Sequence, residues 1–204
     1  MAVDPRALES AQRQVVVAMG AAMALSWTPF VGGILSGIAE TKLVESLLVT
    51  LGRKDDDETV DALTGFFGRK MLFVGVATLA PAIGSAVQVG LTWGLGQLVI
   101  RCATDEDFDA MDEPWLDERW SEIRGHIFSG ENVVTAYRQL AARPFPARFE
   151  MRVVRVVDGM NAAYGKAEGL PGVAKTQDAL GGALQRTARG AKKRLRGLRK
   201  RFSK

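Results

Sequence analysis

Two long stretches of this chain hold no charged residue, residues 14–39 and residues 71–100. A proline divides each of them, Pro29 in the first and Pro81 in the second. Proline lacks the backbone N–H and pushes the residue before it out of the helical region, so each stretch reads as helix, break, helix. The segments Pro29-Phe-Val-Gly32 and Pro81-Ala-Ile-Gly84 share the pattern Pro-x-[Val/Ile]-Gly, offset by 52 residues. Asp4 suits a helix N-cap and Pro5 the first helical position, which predicts a first helix over about 6–27. A second is predicted over about 30–51. It is Gly-rich at its start, then amphipathic with Leu43, Leu47 and Leu51 on one face, and Gly52 is placed to cap it. Residues 53–61 read as a charged connector whose acids favour the positive start of the next helix, expected over about 57–68. That helix leads into the second uncharged stretch.

After residue 101 the character changes. Residues 105–122 hold nine acids, interleaved with Phe108, Met111, Trp115, Leu116 and Trp120. They read as a polar loop followed by a helix from about Pro114. Gly130 and Arg143-Pro144-Phe145-Pro146 read as breaks. Val153, Val154, Val157, Met160 and Tyr164 recur at helical spacing over 150–167. The valines alone also suit a strand, but the chain offers no second strand to pair with it. Beyond the Gly169–Gly172 break, Leu180, Leu184, Thr187, Ala191, Leu195, Leu198 and Phe202 step by fours and threes, which predicts a basic amphipathic helix from Thr176 onward. The expected fold is an all-α helical bundle with two Gly-rich helix–Pro–helix hairpins, an acidic middle segment and that basic helix. The expected divisions are 1–102, 103–170 and 171–204.

With 204 residues the chain is long enough to bury a core without disulfide staples. Its 47% hydrophobic and 25% charged residues are ordinary for a globular protein. The charge distribution is not. Residues 186–204 hold ten Lys or Arg and no acid, so the net charge of +4 divides into +10 there and −6 elsewhere. Ten positive charges on an amphipathic helix suit an anionic surface. Lys192, Lys193, Arg194, Arg196, Arg199, Lys200 and Arg201 would meet headgroups while Leu195, Leu198 and Phe202 insert. Nucleic acid fits less well: Phe202 is the sole aromatic there and no reading motif accompanies it.

A bilayer-spanning helix takes about 20 apolar residues, so both uncharged stretches are long enough. Their Gly, Ala, Ser and Thr suit close helix contact, as in Gly33-x-x-x-Gly37 and Gly90-x-x-x-Gly94, whether in lipid or in a soluble bundle. If each stretch spans, residues 40–70 with Lys42, Arg53, Lys54, Arg69 and Lys70 lie across the membrane from the basic tail, against the positive-inside tendency. If each proline turns a shallow hairpin, half-segments of roughly 20 Å keep every Lys and Arg on one side. Trp27, Phe30 and Trp93 are interfacial or core anchors. The residues expected to build the hairpins are Trp27, Pro29, Phe30, Gly33, Gly37, Pro81, Gly84, Gly90, Trp93 and Gly94. The N-terminal residues lack the pattern of a signal peptide.

Little in the chain suggests catalysis. Cys102 and His126 are each the sole residue of their type, which excludes an internal disulfide, a zinc site of the usual Cys/His kind and a Cys–His pair. Gly169-Leu-Pro-Gly-Val-Ala174-Lys175-Thr176 is similar to a phosphate-binding loop, but Ala174 replaces the glycine that must approach phosphate, and no strand precedes it. The bland reading is a break with Thr176 as N-cap. The acids of 105–122 read as a solvated face, with no calcium-loop spacing. No catalytic, cofactor-binding or metal-binding residue is expected.

Residues of about 10–102 resemble a known family. Trp27-Thr28-Pro29-Phe30, the Leu-rich helix ending in Leu51-Gly52, Leu79-Ala-Pro81-Ala-Ile-Gly84 and Leu91-Thr92-Trp93-Gly94-Leu95-Gly96 are similar to features of the YcjF-like, GTPase-associated domain of unknown function 697. Val31, Gly32 and Gly33 stand where that family tends to place an acid. The resemblance implies a helical, often membrane-associated domain working beside a Ras-like or dynamin-like GTPase. No catalytic residues come with it. The expected function is a non-enzymatic membrane-associated adaptor or scaffold, with homo-oligomers allowed, at the cytoplasmic face of a bacterial inner membrane. The alternatives are a soluble cytoplasmic assembly component that binds an acidic partner through its tail, and a pore-forming effector.

Overall fold

The computed structural model describes residues 4–25, 32–76, 81–126 and 128–168. They form an all-α bundle of seven helices: α1 Pro5–Leu25, α2 Gly32–Thr50, α3 Asp57–Val76, α4 Pro81–Ala103, α5 Glu113–His126, α6 Gly130–Leu140 and α7 Ala147–Glu168. A short 3-10 turn, Glu106–Ala110, precedes α5. No strand occurs among the described residues.

The helix ends follow from local chemistry. The Asp4 carboxylate accepts the Arg6 N–H at 2.9 Å. Gly52 has φ +72°, the left-handed conformation that glycine adopts without a Cβ penalty. Around it the Arg53 N–H donates to Leu48 O at 2.8 Å and the Gly52 N–H to Val49 O at 3.1 Å, the paired bonds of a Schellman cap. Asp56, Asp112 and Ser129 cap α3, α5 and α6 by accepting the N–H of Thr59, Trp115 and Asn132.

One boundary differs from expectation. α3 does not stop at Gly68 but runs on to Val76, because no proline interrupts it and Phe66 and Phe67 bury within it. At Gly130 the expected break between helices is present, with Gly130 itself the first residue of α6, held against α7.

α4 is the axis of the bundle and touches each of the other six helices. Its residues 85–100 are almost wholly buried. Against α1, a β-carbon at Gly96 would come within 2.5 Å of Val15 Cγ2. Beside that contact Gln12 and Gln97 exchange amide hydrogen bonds of 2.9 and 3.3 Å, which satisfies two polar groups among apolar neighbours. One continuous core joins α1–α4 to α5–α7, through Phe67, Trp120 and Phe128 on one side and Val153, Val157 and Met160 on the other. The expected division at residue 102 therefore does not separate two cores.

The direction of the helices gives the bundle two different ends. Arg53, after α2, donates to Ala103 O, the last residue of α4, at 2.8 Å and to Asp105 O just beyond it at 2.5 Å. Near the other end, Gln88 of α4 lies 3.4 Å from Glu40 of α2. The charged turns thus share one end, and the helix ends Leu25, Gly32, Val76 and Pro81 share the other.

Candidate functional site

The outer face of α1 changes character along its length. Glu9 and Arg13 form an exposed ion pair of 2.8 Å. One turn later Val17 is 73% exposed, and Ala21 and Ala24 are exposed after it. Charge disappears from this face on approach to the end of the bundle where the helix ends Leu25, Gly32, Val76 and Pro81 lie.

The expected hairpin residues distribute unevenly around that end. Gly33 and Gly37 lie in the first turns of α2, Pro81 opens α4 and Gly84 sits in its first turn. Trp27, Pro29 and Phe30 lie outside the described residues. Gly90, Trp93 and Gly94 face this chain's own core. A β-carbon at Gly90 would lie 2.7 Å from Val157 Cγ2, and one at Gly94 would lie 3.0 Å from Phe128 Cε2. Trp93 is 5% exposed, and its indole N–H has no acceptor. The small residues of this half of the helix let protein approach closely. No helix among the described residues is long and apolar enough to cross a membrane. The whole expected tail site, Lys192, Lys193, Arg194, Leu195, Arg196, Leu198, Arg199, Lys200, Arg201 and Phe202, lies outside the described residues, as does the phosphate-loop-like segment.

The acidic segment keeps most of its carboxylates exposed, as its composition suggested, and several of them are paired within the chain. Asp105 and Arg119 pair at 2.8 Å with both side chains largely covered. The Asp107 N–H, burial and the Arg119 guanidinium act on Asp105, and the net effect holds its carboxyl below the usual range. Glu122 bonds Arg101 at 2.8 Å, Glu113 bonds Arg69 at 2.9 Å, and Asp117 pairs with Lys70. The Arg53 guanidinium stacks 5.0 Å above the Phe108 ring. These contacts tie the 3-10 turn and α5 to α3 and α4. Arg69, Lys70 and Arg101, the residues bordering the uncharged stretch, were the signal in the sequence that the acids had internal partners.

The Cys102 thiol is buried and pushed up to about 12 by desolvation, so it is not a nucleophile at neutral pH. Among the described residues no group of three His, Cys, Asp or Glu side chains could hold a metal ion.

Sequence reasoning missed one surface. On α7, Val153, Val157 and Met160 face the core, while Arg148, Arg152 and Arg155 are exposed on the opposite side with Met151 beside them, 57% exposed. The (i, i+4, i+7) spacing of these arginines is readable in the sequence, alongside the stronger apolar periodicity of the same helix.

Comparison with known protein families, curated proteins and solved structures gives no match.

Proposed function

We propose that this chain is a non-enzymatic, membrane-associated adaptor. It seats the uncharged end of its bundle in the interface of an anionic bilayer, holds there with its basic C-terminal segment, and presents the charged end to a partner. The observation that carries this reading is the outer face of α1, which passes from the Glu9–Arg13 pair to exposed Val17, Ala21 and Ala24 as it nears the proline-bearing end. Seating this face in an interface would remove the Val17, Ala21 and Ala24 side chains from water.

The shallow topology suits this better than spanning helices. Residues 85–100, half of the second apolar stretch, are already occupied by protein contacts. The two helix–Pro–helix units would then enter only as far as the ends of α1, α2, α3 and α4. The likeness to the GTPase-associated domain carries the further suggestion that the partner is a GTPase.

A second reading is a soluble assembly component that binds an acidic partner through its tail. The burial of Gly90, Trp93 and Gly94 inside this chain favours it. Membrane fractionation decides between the two. Retention in a carbonate-washed pellet supports insertion, release by salt alone supports peripheral binding through basic residues, and recovery entirely in the supernatant overturns the adaptor reading. Leakage of a vesicle-entrapped dye would replace it with pore formation.

A further inference from the structure

We infer that a ring of ion pairs about 15 Å behind the uncharged end limits how deep the bundle seats in a bilayer, so that it enters one leaflet and goes no further. This rests on the membrane reading above and adds to it a depth and the residues that set it.

α2 and α4 run away from the uncharged end side by side, from Gly32 and from Pro81. The contact of Glu40 with Gln88, eight residues into one helix and seven into the other, keeps them in step. Lys42 is therefore level with Gly90. α3 runs the opposite way and ends at Val76. Phe67 meets α4 at Gly94, so Lys70, three residues nearer the end, is level with Leu91. Two lysines from different helices thus stand at one height, about 15 Å back at 1.5 Å per residue. Val157 of α7 reaches the same height against Gly90, with exposed Arg155 and Asp158 near it in the helix. α1 brings no charge there. Val15 packs on Gly96, which puts Val17 within a turn of this height and Arg13 one turn further back.

The cations of α2 and α3 at this height are all paired. Lys42 pairs with Glu45, Lys70 with Asp117, and Arg69, beside Lys70, with Glu113 at 2.9 Å. These pairs are balanced, so they add no preference for anionic lipid; in the membrane reading that preference belongs to the basic C-terminal segment. What they oppose is hydrocarbon. Carried into the acyl region they lose their water, which mutual attraction does not repay, whereas in the headgroup layer they stay hydrated. Ahead of them, the one charged residue of α1–α4 is Glu40, whose carboxylate is partly covered and lies against Gln88. The uncharged depth of about 15 Å is half of the roughly 30 Å hydrocarbon core, the thickness of one leaflet.

The test uses the full chain with one added cysteine for a fluorophore, at exposed Ala24 ahead of the ring or at exposed Val49 behind it. Cys102 is buried and stays unlabelled. The protein is bound to vesicles of phosphatidylcholine and phosphatidylglycerol that carry a nitroxide on the headgroup or on the acyl chain. The Ala24 probe is expected to be quenched by the acyl-chain nitroxide, and the Val49 probe by the headgroup nitroxide at most. The double variant Lys42→Met, Glu45→Leu puts apolar chains in place of one pair. It is expected to sink further and to raise the ratio of acyl-chain to headgroup quenching at Ala24 about twofold, at unchanged thermal midpoint. An unchanged ratio overturns the depth limit, as does acyl-chain quenching at Val49 in the otherwise unaltered protein; the membrane reading survives either result. A parent protein that binds no vesicle overturns both.

Discussion

Gly130 lies directly on the backbone of Val154: a β-carbon at residue 130 would be 2.3 Å from Val154 Cα and 2.6 Å from its carbonyl oxygen. Main chain cannot rotate aside as a side chain does. Gly130→Ala is therefore expected to force α6 off α7 and cost about 2–4 kcal/mol, in the range of severe core overpacking. Gly159, exposed on α7 with open space about its Cβ position, is the control. Gly159→Ala is expected to gain about 0.5–1 kcal/mol through helix propensity. Urea midpoints of the two variants moving in the same direction would contradict this account.

Arg53 is expected to be the latch of the charged end. Its guanidinium donates to Ala103 O and Asp105 O while covering Phe108. Arg53→Ala leaves the carbonyls at the end of α4 without those donors, at about 1–3 kcal/mol. Arg53→Lys has a point charge in place of a fork, so it should recover less than half of that loss. Hydrogen exchange at residues 104–112 reports whether the turn has opened.

The Arg138–Glu150 pair sets an acid limit. The Arg138 hydrogen bond outweighs burial and holds the Glu150 carboxyl below its ordinary value. A folded-state pKa below the unfolded one contributes stability that is present above the unfolded value, about 4.3, and is lost as pH falls through the folded one. Asp105 shifts in the same direction. The thermal midpoint should thus fall on acidification below about pH 4, and Glu150→Gln should flatten part of that fall. A variant that keeps the parent's full pH slope would remove Glu150 from the explanation.

Val17→Glu probes the apolar end. Val17 is exposed, so a carboxylate there costs the fold little, within about 0.5 kcal/mol. In an interface the same charge is expensive. The expected result is an unchanged melting temperature with reduced retention on vesicles. Unchanged retention would move the insertion site away from α1.

Cys102 provides an internal check on packing. A buried thiol raised to about 12 should resist alkylation in the native state and react at the rate of global opening. Rapid labelling without denaturant would mean that the end of α4 opens by itself.

Much of the helical plan was legible in the sequence because its signals are local. Pro5, Gly52 and Pro81 act on their own backbone, and α1, α2 and α4 begin or end at or within two residues of where those residues and the apolar periodicity put them. The end of α3 was not legible. Gly68 suggested a stop, but Phe66 is buried and Phe67 meets Gly94 of α4 and Trp120 of α5, which only the folded chain brings together. The same is true of Gly90 and Gly94. Their spacing announced close helix contact, but not with Val157 and Phe128, more than thirty residues further on. The acids of 105–122 are mostly exposed, as their run announced, but their partners Arg69, Lys70 and Arg119 reach them only through tertiary structure. Pattern along the chain identifies which faces are apolar, and not what covers them.

The central place of α4 bears on how the protein is made. Val157, which covers Gly90, lies 67 residues later in the chain. At ribosomal speeds of about 5–20 residues per second, α4 waits for roughly 3–13 s of translation before that cover is synthesised. A nascent chain bearing an oily, half-dressed helix for that interval is a natural client for a ribosome-bound chaperone, and its yield should depend on one.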